Sequence, residues 1–283
     1  MPIRRRDFLM CAGAMAAAAG TRLLGRVGNL EIGVCADSAH FKDAIRYGFD
    51  YYEPEVSEIA EMDETRFRAF AAEVLASPVR CKSLYSFVRK LKVVGEDIHH
   101  EELQTFVDQA LDRCRQLGAE MVVWGSGSSR NVPAGFSRDQ AWSQIQDFLR
   151  LAGDSARRNH MVIAIEPLQK AHSNIINTAG EALRLVRETN HPNVKMIVDY
   201  FHLRRENEDP EILWEARKEI VHLHFANPAG REWPKSPSED PQYKRFFELV
   251  KRIDFRGGMS IEGVGTFEND AAASMRFFHE MLA

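Results

Sequence analysis

Four polar residues stand at or near the ends of apolar, strand-like runs in the second half of the chain: Glu166, Asp199, His224 and Glu262. Runs this apolar are typical of parallel strands that are buried on both faces. In barrels of such strands, the active site lies at the carboxyl ends. Three carboxylates and one imidazole that meet there predict a site for one divalent metal ion. Oxygen-rich donors favour Mn²⁺, with Mg²⁺, Co²⁺ and Zn²⁺ as alternatives.

A metal site of this kind predicts proton transfer next to a carbonyl group. A divalent cation polarises a sugar carbonyl and its neighbouring hydroxyl, which lowers the cost of removing the proton on the carbon between them. Two carboxylates on different sides of the substrate could then act as base and acid. Glu166 and Glu262 are the candidates. The alternative for either glutamate is a structural ion pair inside the fold.

The rest of the chain predicts the elements that position these residues. Eight apolar runs, each followed by a helical pattern, lie at 30–34, 49–53, 79–85, 120–124, 162–166, 195–199, 221–225 and 259–262. The clearest helical pattern is an apolar stripe from Leu103 to Leu117. Strand and helix that alternate eight times over about 250 residues predict one α/β domain, a single (β/α)8 TIM barrel. The alternative is an open doubly wound sheet, although no Gly-x-Gly-x-x-Gly follows the first run.

The first residues resemble an export signal. Arg4-Arg5-Arg6 precedes a short, alanine-rich apolar stretch, as in twin-arginine (Tat) signals. We therefore expect residues 1–21 to be a Tat signal peptide and residues 22–283 to be the barrel domain. The Tat export machinery would then be a partner, and the mature protein would be periplasmic, in a bacterium. The alternatives are a basic amphipathic helix and a lipoprotein signal with Cys11 as the lipidated residue.

Composition limits the choice of partners. The 283 residues carry a net charge of −4 with mixed signs, which argues against a polyanion-binding surface and against nucleic acid as a partner. The apolar stretch near the amino terminus is too short to span a bilayer, so no stable membrane association is expected. Three cysteines beyond the signal lack ligand-like spacing, and we predict buried free thiols at Cys35, Cys81 and Cys114. A homo-oligomer is left open.

The residues at the strand ends also carry a family resemblance. In order along the chain, four motifs resemble the sugar isomerase/epimerase superfamily with a xylose-isomerase-like barrel, which includes ketose 3-epimerases and inosose dehydratases: Glu166-Pro-Leu, Asp199-Tyr-Phe-His202, His222-Leu-His224 and Ser260-Ile-Glu262-Gly. The resemblance implies one catalytic metal bound by Glu166, Asp199, His224 and Glu262. It also implies that the two glutamates transfer the proton.

Further residues near the strand ends are candidates for substrate binding. By the resemblance, His202 would contact the substrate, and Arg231 would bind substrate hydroxyls or hold a catalytic carboxylate. Glu53 and Trp124 end the second and fourth runs, and they are candidates for a hydroxyl contact and for the apolar face of a sugar ring. The alternative for each of these residues is a structural or surface role.

The chain departs from many ketose epimerases after Glu166. Those enzymes read Glu-Pro-Leu-Asn-Arg and then have a substrate-contacting glutamate, whereas this chain reads Glu166-Pro-Leu-Gln-Lys-Ala-His172. His172 would change the charge and the hydrogen bonds near the substrate. His222 is expected to point away from His224, toward the helices, with a structural role. Loops 125–135 and 227–241 are expected to cover the substrate or to be ordinary surface loops.

Together these features predict a metal-dependent sugar isomerase or epimerase. It would abstract a proton next to a carbonyl, through an enediolate intermediate, on an unphosphorylated sugar, keto-sugar or polyol derivative. The first alternative is a metal-dependent dehydratase or lyase on a keto-inositol or 3-keto-glycoside, which begins with the same step. An apurinic-endonuclease-like DNA repair enzyme is less favoured, because the extra ligands of its metal cluster are missing. A non-catalytic sugar-binding protein would leave both glutamates without a role.

Overall fold

The computed structural model describes residues 26–27 and 30–283, so the expected signal peptide, residues 1–21, lies outside the described residues. Within these described residues, one sheet contains nine strands. In chain order they are β1 (Arg26–Val27), β2 (Leu30–Cys35), β3 (Tyr51–Glu53), β4 (Ser83–Leu84), β5 (Met121–Trp124), β6 (Val162–Ile165), β7 (Val194–Asp199), β8 (Ile220–Phe225) and β9 (Gly258–Ile261). Strand β1 pairs antiparallel with β2. The eight predicted runs overlap β2 to β9, which confirms that segmentation.

The parallel strands form a barrel. Strand β2 pairs with both β3 and β9, and strands β4 to β9 pair in chain order. Backbone bridges between Tyr51 and Arg80 and between Glu55 and Tyr85 join β3 to the segment around β4. The result is a nearly closed single (β/α)8 TIM barrel, as predicted. The alternative of an open doubly wound sheet is wrong.

Helices follow the strands around the outside of the barrel. They are α1 (Phe41–Arg46), α2 (Val56–Glu61), α3 (Glu64–Ala76), α4 (His100–Gln116), α5 (Gly127–Arg130), α6 (Arg138–Arg158), α7 (Ala179–Thr189), α8 (Tyr200–Arg205), α9 (Ile212–Ala216), α10 (Tyr243–Arg252) and α11 (Phe267–Leu282). The predicted stripe lies in α4 and is buried at Leu103 and Leu111. Ser137 and Thr178 cap α6 and α7 with their hydroxyl groups. Among the described helices, none combines the length and apolar character needed to cross a membrane.

Side chains alternate between the barrel interior and the helix layer along each strand. Val123 of β5, Ala164 of β6 and Ile197 of β7 form a small cluster that is separate from the main core. Their strand neighbours, such as Val122 and Val198, pack in the main core with the helices. Every second residue of a strand points into the barrel. Two positions after Ala164 and Ile197, the next inward-pointing residues are Glu166 and Asp199.

The three described cysteines are free thiols. Cys81 and Cys114 are fully buried, as predicted. Cys35, at the end of β2, is partly exposed instead of fully buried. Its thiol group is nevertheless buried, and this burial together with the nearby Glu53 carboxylate raises the pKa of Cys35 well above its usual value, so its neutral thiol is the stable form.

Candidate active site

The four predicted metal ligands lie together at the carboxyl ends of four neighbouring strands. Glu166 follows β6, Asp199 ends β7, His224 lies in β8 and Glu262 follows β9. One donor atom from each of these residues lies within 4.8 Å of the other three. The barrel therefore brings together residues that are up to 96 positions apart in the sequence.

His224 and Arg231 provide the positive groups of this site. The Nδ1 atom of His224 lies 2.9 Å from Oε2 of Glu262 and 3.3 Å from Oε1 of Glu166. Arg231 comes from the loop after β8, and its Nη2 atom lies 2.8 Å from Oε2 of Glu262 and 3.7 Å from Oδ2 of Asp199. The imidazole and the guanidinium thus offset the charge of three clustered carboxylates.

Two buried polar atoms of the site have no hydrogen-bond partner among the residues that the structure describes: Oδ2 of Asp199 and Nε2 of His202. They lie 3.7 Å apart. The backbone N–H of Gln169 donates to Nδ1 of His202 at 3.1 Å, so the neutral ring carries its proton on Nε2. Buried polar atoms without partners are costly. A carboxylate oxygen that accepts no hydrogen bond, within a set of three carboxylates and an imidazole, fits a divalent cation.

The carboxylates of the site differ in their pKa values. Burial raises the pKa of Glu166, and the neighbouring Glu262 raises it further. Burial also raises the pKa of Asp199 to about 7, although Arg231 acts in the opposite direction. Burial acts to raise the pKa of Glu262 as well, but Arg231 and His224 outweigh it and lower the pKa to about 2. Two carboxyl groups whose pKa values move in opposite directions are typical of an acid and base pair.

A cavity of about 310 Å³ lies over this site. Its volume is at the lower end of the range for small-molecule pockets. The residues around it are Ser86, Arg89, Gly125, Ser126, Gly127, Ser128, Glu166, Leu168, His172, Arg231 and Glu262. Both glutamates therefore face the cavity, together with His172 and Arg231. Burial and the charge of Arg231 lower the pKa of His172, so its neutral ring faces the cavity.

Glu53 and His222 do not lie where the sequence predicted. Glu53 is fully buried, and its Oε1 and Oε2 atoms lie 3.2 Å from Nε2 of His224 and 2.9 Å from Nε2 of His222. The structure does not place Glu53 at the cavity, and its contact with a substrate hydroxyl stays a prediction. The expectation that His222 points away from His224 is wrong, because their ring centroids are only 5.1 Å apart. Residues two apart in a strand share a face.

Trp124 lies on the outer side of its strand. Its side chain is fully buried, and its ring centroid lies 4.9 Å from that of Phe148 in α6. Its Nε1 atom donates a hydrogen bond to Oγ of Ser129 at 3.2 Å. Trp124 is adjacent to Val123, which belongs to the interior cluster, and adjacent residues of a strand point to opposite faces of the sheet. The structure therefore does not bring Trp124 to the cavity, and its stacking on a sugar ring stays a prediction.

Arg130, in α5, supports Glu166 and was not singled out from the sequence. Its guanidinium is completely buried, and it donates to the backbone oxygens of Glu166 at 2.6 Å and Trp124 at 3.0 Å. Burial lowers the pKa of Arg130 to about 10, while the Glu166 carboxylate acts to raise it. The sequence offers no signal for this role, because the loop that carries Arg130 reads as an ordinary polar loop.

A TIM barrel with a buried set of carboxylates and histidine at its carboxyl-end mouth defines the class of this protein. The chain belongs to the xylose isomerase-like TIM barrel family, whose family model matches residues 41–281. The resemblance seen in the sequence is thereby confirmed.

Several proteins in this family are similar to the chain. A probable ketose 3-epimerase from Synechocystis sp. is 22% identical over 244 residues, which cover 84% of this chain and 82% of that protein. The crystal structure of 3-keto-D-glucoside 4-epimerase from E. coli has a TM-score of 0.74 at 19% identity and covers 88% of this chain and 98% of that one. A zinc-bound IOLI protein has a TM-score of 0.72 at 17% identity, covering 89% and 97%. A 3-dehydroshikimate dehydratase from Bacillus anthracis is 25% identical over 133 residues, covering 44% and 46%.

Proposed function

We propose that this protein is a divalent-metal-dependent isomerase or epimerase of an unphosphorylated sugar, keto-sugar or polyol derivative. The observation that carries the proposal is that Glu166 and Glu262 both face one cavity beside a donor set suited to a metal. The names of the relatives, among them a ketose 3-epimerase and a 3-keto-glucoside 4-epimerase, support the same class of reaction.

The proposed metal ligands are Glu166, Asp199, His224 and Glu262. Carboxylate-rich sites favour Mn²⁺, and a zinc-bound relative keeps Zn²⁺ as an alternative. When bound there, a divalent cation would polarise a substrate carbonyl and so make the neighbouring C–H group more acidic. The Oδ2 atom of Asp199 supports this proposal, because it accepts no hydrogen bond and a bound cation would lie closer to it than Arg231 does at 3.7 Å.

Proton transfer is proposed to run between the two glutamates. Arg231 and His224 keep Glu262 ionised by lowering its pKa, which suits a base. The raised pKa of Glu166 suits an acid that returns the proton. Because both residues face the cavity from different strands, one can remove a proton and the other can return it on the opposite face or at the neighbouring carbon. The direction of the reaction decides which of the two acts first.

Arg231 and His172, which line the cavity, and the buried His202 near Asp199 are proposed to bind an uncharged substrate. Three carboxylates, a bound dication and Arg231 would together carry no net charge, which favours a neutral sugar over a phosphorylated one. His202 and His172 are both neutral rings, because burial and Arg231 lower their pKa values. Neutral rings and the Arg231 guanidinium can all donate hydrogen bonds to hydroxyl oxygens.

The second candidate is a dehydratase or lyase on a keto-inositol or 3-keto-glycoside. A relative named 3-dehydroshikimate dehydratase favours keeping this candidate. Both candidates begin with proton abstraction next to a carbonyl, and they differ in whether a group at the next carbon then leaves. Product mass separates them: an isomer keeps the substrate mass, whereas a dehydratase or lyase product loses water or an aglycone.

We further propose that the protein reaches the periplasm through the Tat machinery, on the basis of Arg4-Arg5-Arg6 and the alanine-rich stretch that follows. Changing Arg5 and Arg6 together to lysine should keep the full-length chain in the cytoplasm, whereas the unchanged chain should appear shortened in the periplasmic fraction. Unchanged export of the double variant would contradict this proposal.

The first experiment measures the metal content of the purified mature protein and then deuterium uptake from D₂O into unphosphorylated ketoses, keto-inositols and 3-keto-glycosides. We expect about one metal ion per chain and metal-dependent exchange at a carbon next to a carbonyl. Failure to bind metal after reconstitution would contradict the site assignment. Saturable sugar binding without exchange in the metal-loaded protein would instead indicate a sugar-binding protein.

A further inference from the structure

Glu53 has an unusual position for a carboxylate: it is fully buried in the barrel interior, beneath the candidate active site. Each of its oxygens has its own partners. Oε1 lies 3.2 Å from Nε2 of His224, while Oε2 lies 2.9 Å from Nε2 of His222 and accepts a hydrogen bond from Oγ of Ser260. The hydroxyl of Tyr51 lies 2.7 Å from the same Ser260 oxygen. The carboxylate is therefore fully satisfied without any group from the cavity.

The two ring nitrogens of His224 have different partners. The Nδ1 atom faces Glu166 and Glu262, the two glutamates of the candidate metal site. The Nε2 atom faces the opposite way, toward Glu53. A histidine that binds a metal through one nitrogen commonly donates its other N–H group to a carboxylate, which fixes the ring orientation and the tautomer.

We propose that Glu53 is a positioning residue for the metal site. It accepts the Nε2–H group of His224 and so directs the lone pair of Nδ1 into the donor set. Glu53 touches neither the substrate nor the metal in this role, and His222 and Ser260 hold it in place. The inference deepens the proposed function and rests on the metal site proposed there.

The main alternative is a second metal site that includes Cys35. Together with Glu53 and His224 it forms a second group of donor atoms that lie within 4.8 Å of one another. The Sγ atom of Cys35 lies 4.0 Å from Nε2 of His224. A second metal there would need the same Nε2 atom to be free of its proton. If Nε2 of His224 keeps its proton and donates it to Glu53, this second site cannot form. The protein then binds one metal per chain, through Nδ1 of His224.

The test compares Zn²⁺ binding by the full mature chain and by Glu53→Gln, measured by competition with a chromogenic chelator. Glutamine has nearly the same shape but lacks the charge, and loss of such a supporting contact typically weakens metal binding about 10- to 100-fold. The matched control is Glu219→Gln. Glu219 precedes the same strand as His224 and pairs with Lys195, so this change removes one carboxylate at the opposite end of β8.

We expect Glu53→Gln to bind Zn²⁺ at least tenfold more weakly and Glu219→Gln to bind it like the unchanged chain. Equal affinity in Glu53→Gln, even with a lower melting temperature, would reduce Glu53 to a purely structural role and overturn the inference. If the unchanged chain binds no Zn²⁺ or Mn²⁺, the proposed metal site itself fails, and the inference fails with it.

A second measurement needs no variant and so does not depend on the folding of Glu53→Gln. In the zinc-loaded protein, ¹⁵N-edited NMR of the histidine rings should show His224 with its proton on Nε2 and with Nδ1 bound to zinc. A proton on Nδ1, or two zinc ions per chain, would overturn the inference, because either result requires Nε2 as the ligand.

Discussion

Gly125 lies directly against the carboxylate of Glu166, and a Cβ atom at Gly125 would lie 1.6 Å from Oε2 of Glu166. The glutamate can therefore hold its position only because residue 125 has no side chain. Gly125 follows β5 and Glu166 follows β6, so the contact joins two neighbouring strand ends. Arg130 fixes the backbone of Glu166 from the same loop, so one short segment holds both the main chain and the side chain of a proposed catalytic residue.

Gly125→Ala should displace the Glu166 carboxylate. A displacement of about 1 Å in a catalytic group can cost about 10²-fold in rate, so we expect kcat to fall by about that factor while the barrel stays folded. The measurement is deuterium exchange into the substrate at saturating metal. Gly180→Ala is the matched control, since a Cβ there would meet only ordinary contacts at 3.7 Å. Full activity in Gly125→Ala would contradict the proposed role of Glu166.

Arg130→Met should destabilise the fold. The change removes the hydrogen bonds to the backbone oxygens of Glu166 and Trp124 in a fully buried place. An unsatisfied buried acceptor costs about 1–3 kcal/mol, so we expect a loss of about 2 kcal/mol in the free energy of unfolding, measured with urea. Arg138→Met is the control, because Arg138 is exposed and donates to a single backbone oxygen, that of Asn174. Equal losses in both variants would contradict this account.

Glu262→Gln should abolish most of the proton transfer. Removing a positioned acid or base typically costs about 10²- to 10⁴-fold in rate. Exchange would be measured with metal raised to saturation, because Glu262 is also a proposed ligand. Glu232→Gln is the control, since Glu232 lies on the neighbouring loop with an exposed side chain. Retention of full exchange in Glu262→Gln would reject the acid and base role of Glu262.

The periodicity of the sequence was enough to predict the barrel and the four polar side chains that meet at its mouth. Buried parallel strands are apolar on both faces, so each strand appears as a short run, and the polar residue at its end stands out. The sequence also contained enough information to tell which residues of each strand point into the barrel. Counting back by twos from Asp199 reaches Ile197, and the same count from His224 reaches His222, which places both histidines inside. On β5, counting back by two from Gly125, which lies against Glu166, reaches Val123. Val123 therefore points inside and Trp124 points outside.

Contacts between loops and across the barrel could not be predicted in the same way. Glu53 contacts His224 from a position 171 residues away, and this contact exists only because the sheet closes. Gly125 and Arg130 lie in a polar, glycine-rich loop whose pattern indicates only a turn. Their roles depend on the distance to Glu166, a quantity fixed by the packing of neighbouring strands and not by local spacing.

Metal binding should depend on pH through Asp199 and His224. Burial raises the pKa of Asp199 to about 7. Burial acts to lower the pKa of His224, but Glu53, Cys35 and Glu262 together outweigh it and raise that pKa well above its usual value. Protons therefore compete with the metal at both residues below pH 7. Since Asp199 ionises between pH 6 and pH 8, metal affinity should rise with pH across that interval.

Proton release on metal binding measures this competition directly. Calorimetry in buffers with different ionisation enthalpies should show about one more proton released per metal at pH 6 than at pH 8, because Asp199 is protonated only at the lower pH. Asp199→Asn should bind metal more weakly and lose this difference, since asparagine has no proton to release. Equal proton release at the two pH values in the unchanged chain would show that Asp199 is already ionised at pH 6. Burial would then be raising the pKa of Asp199 less than Arg231 lowers it.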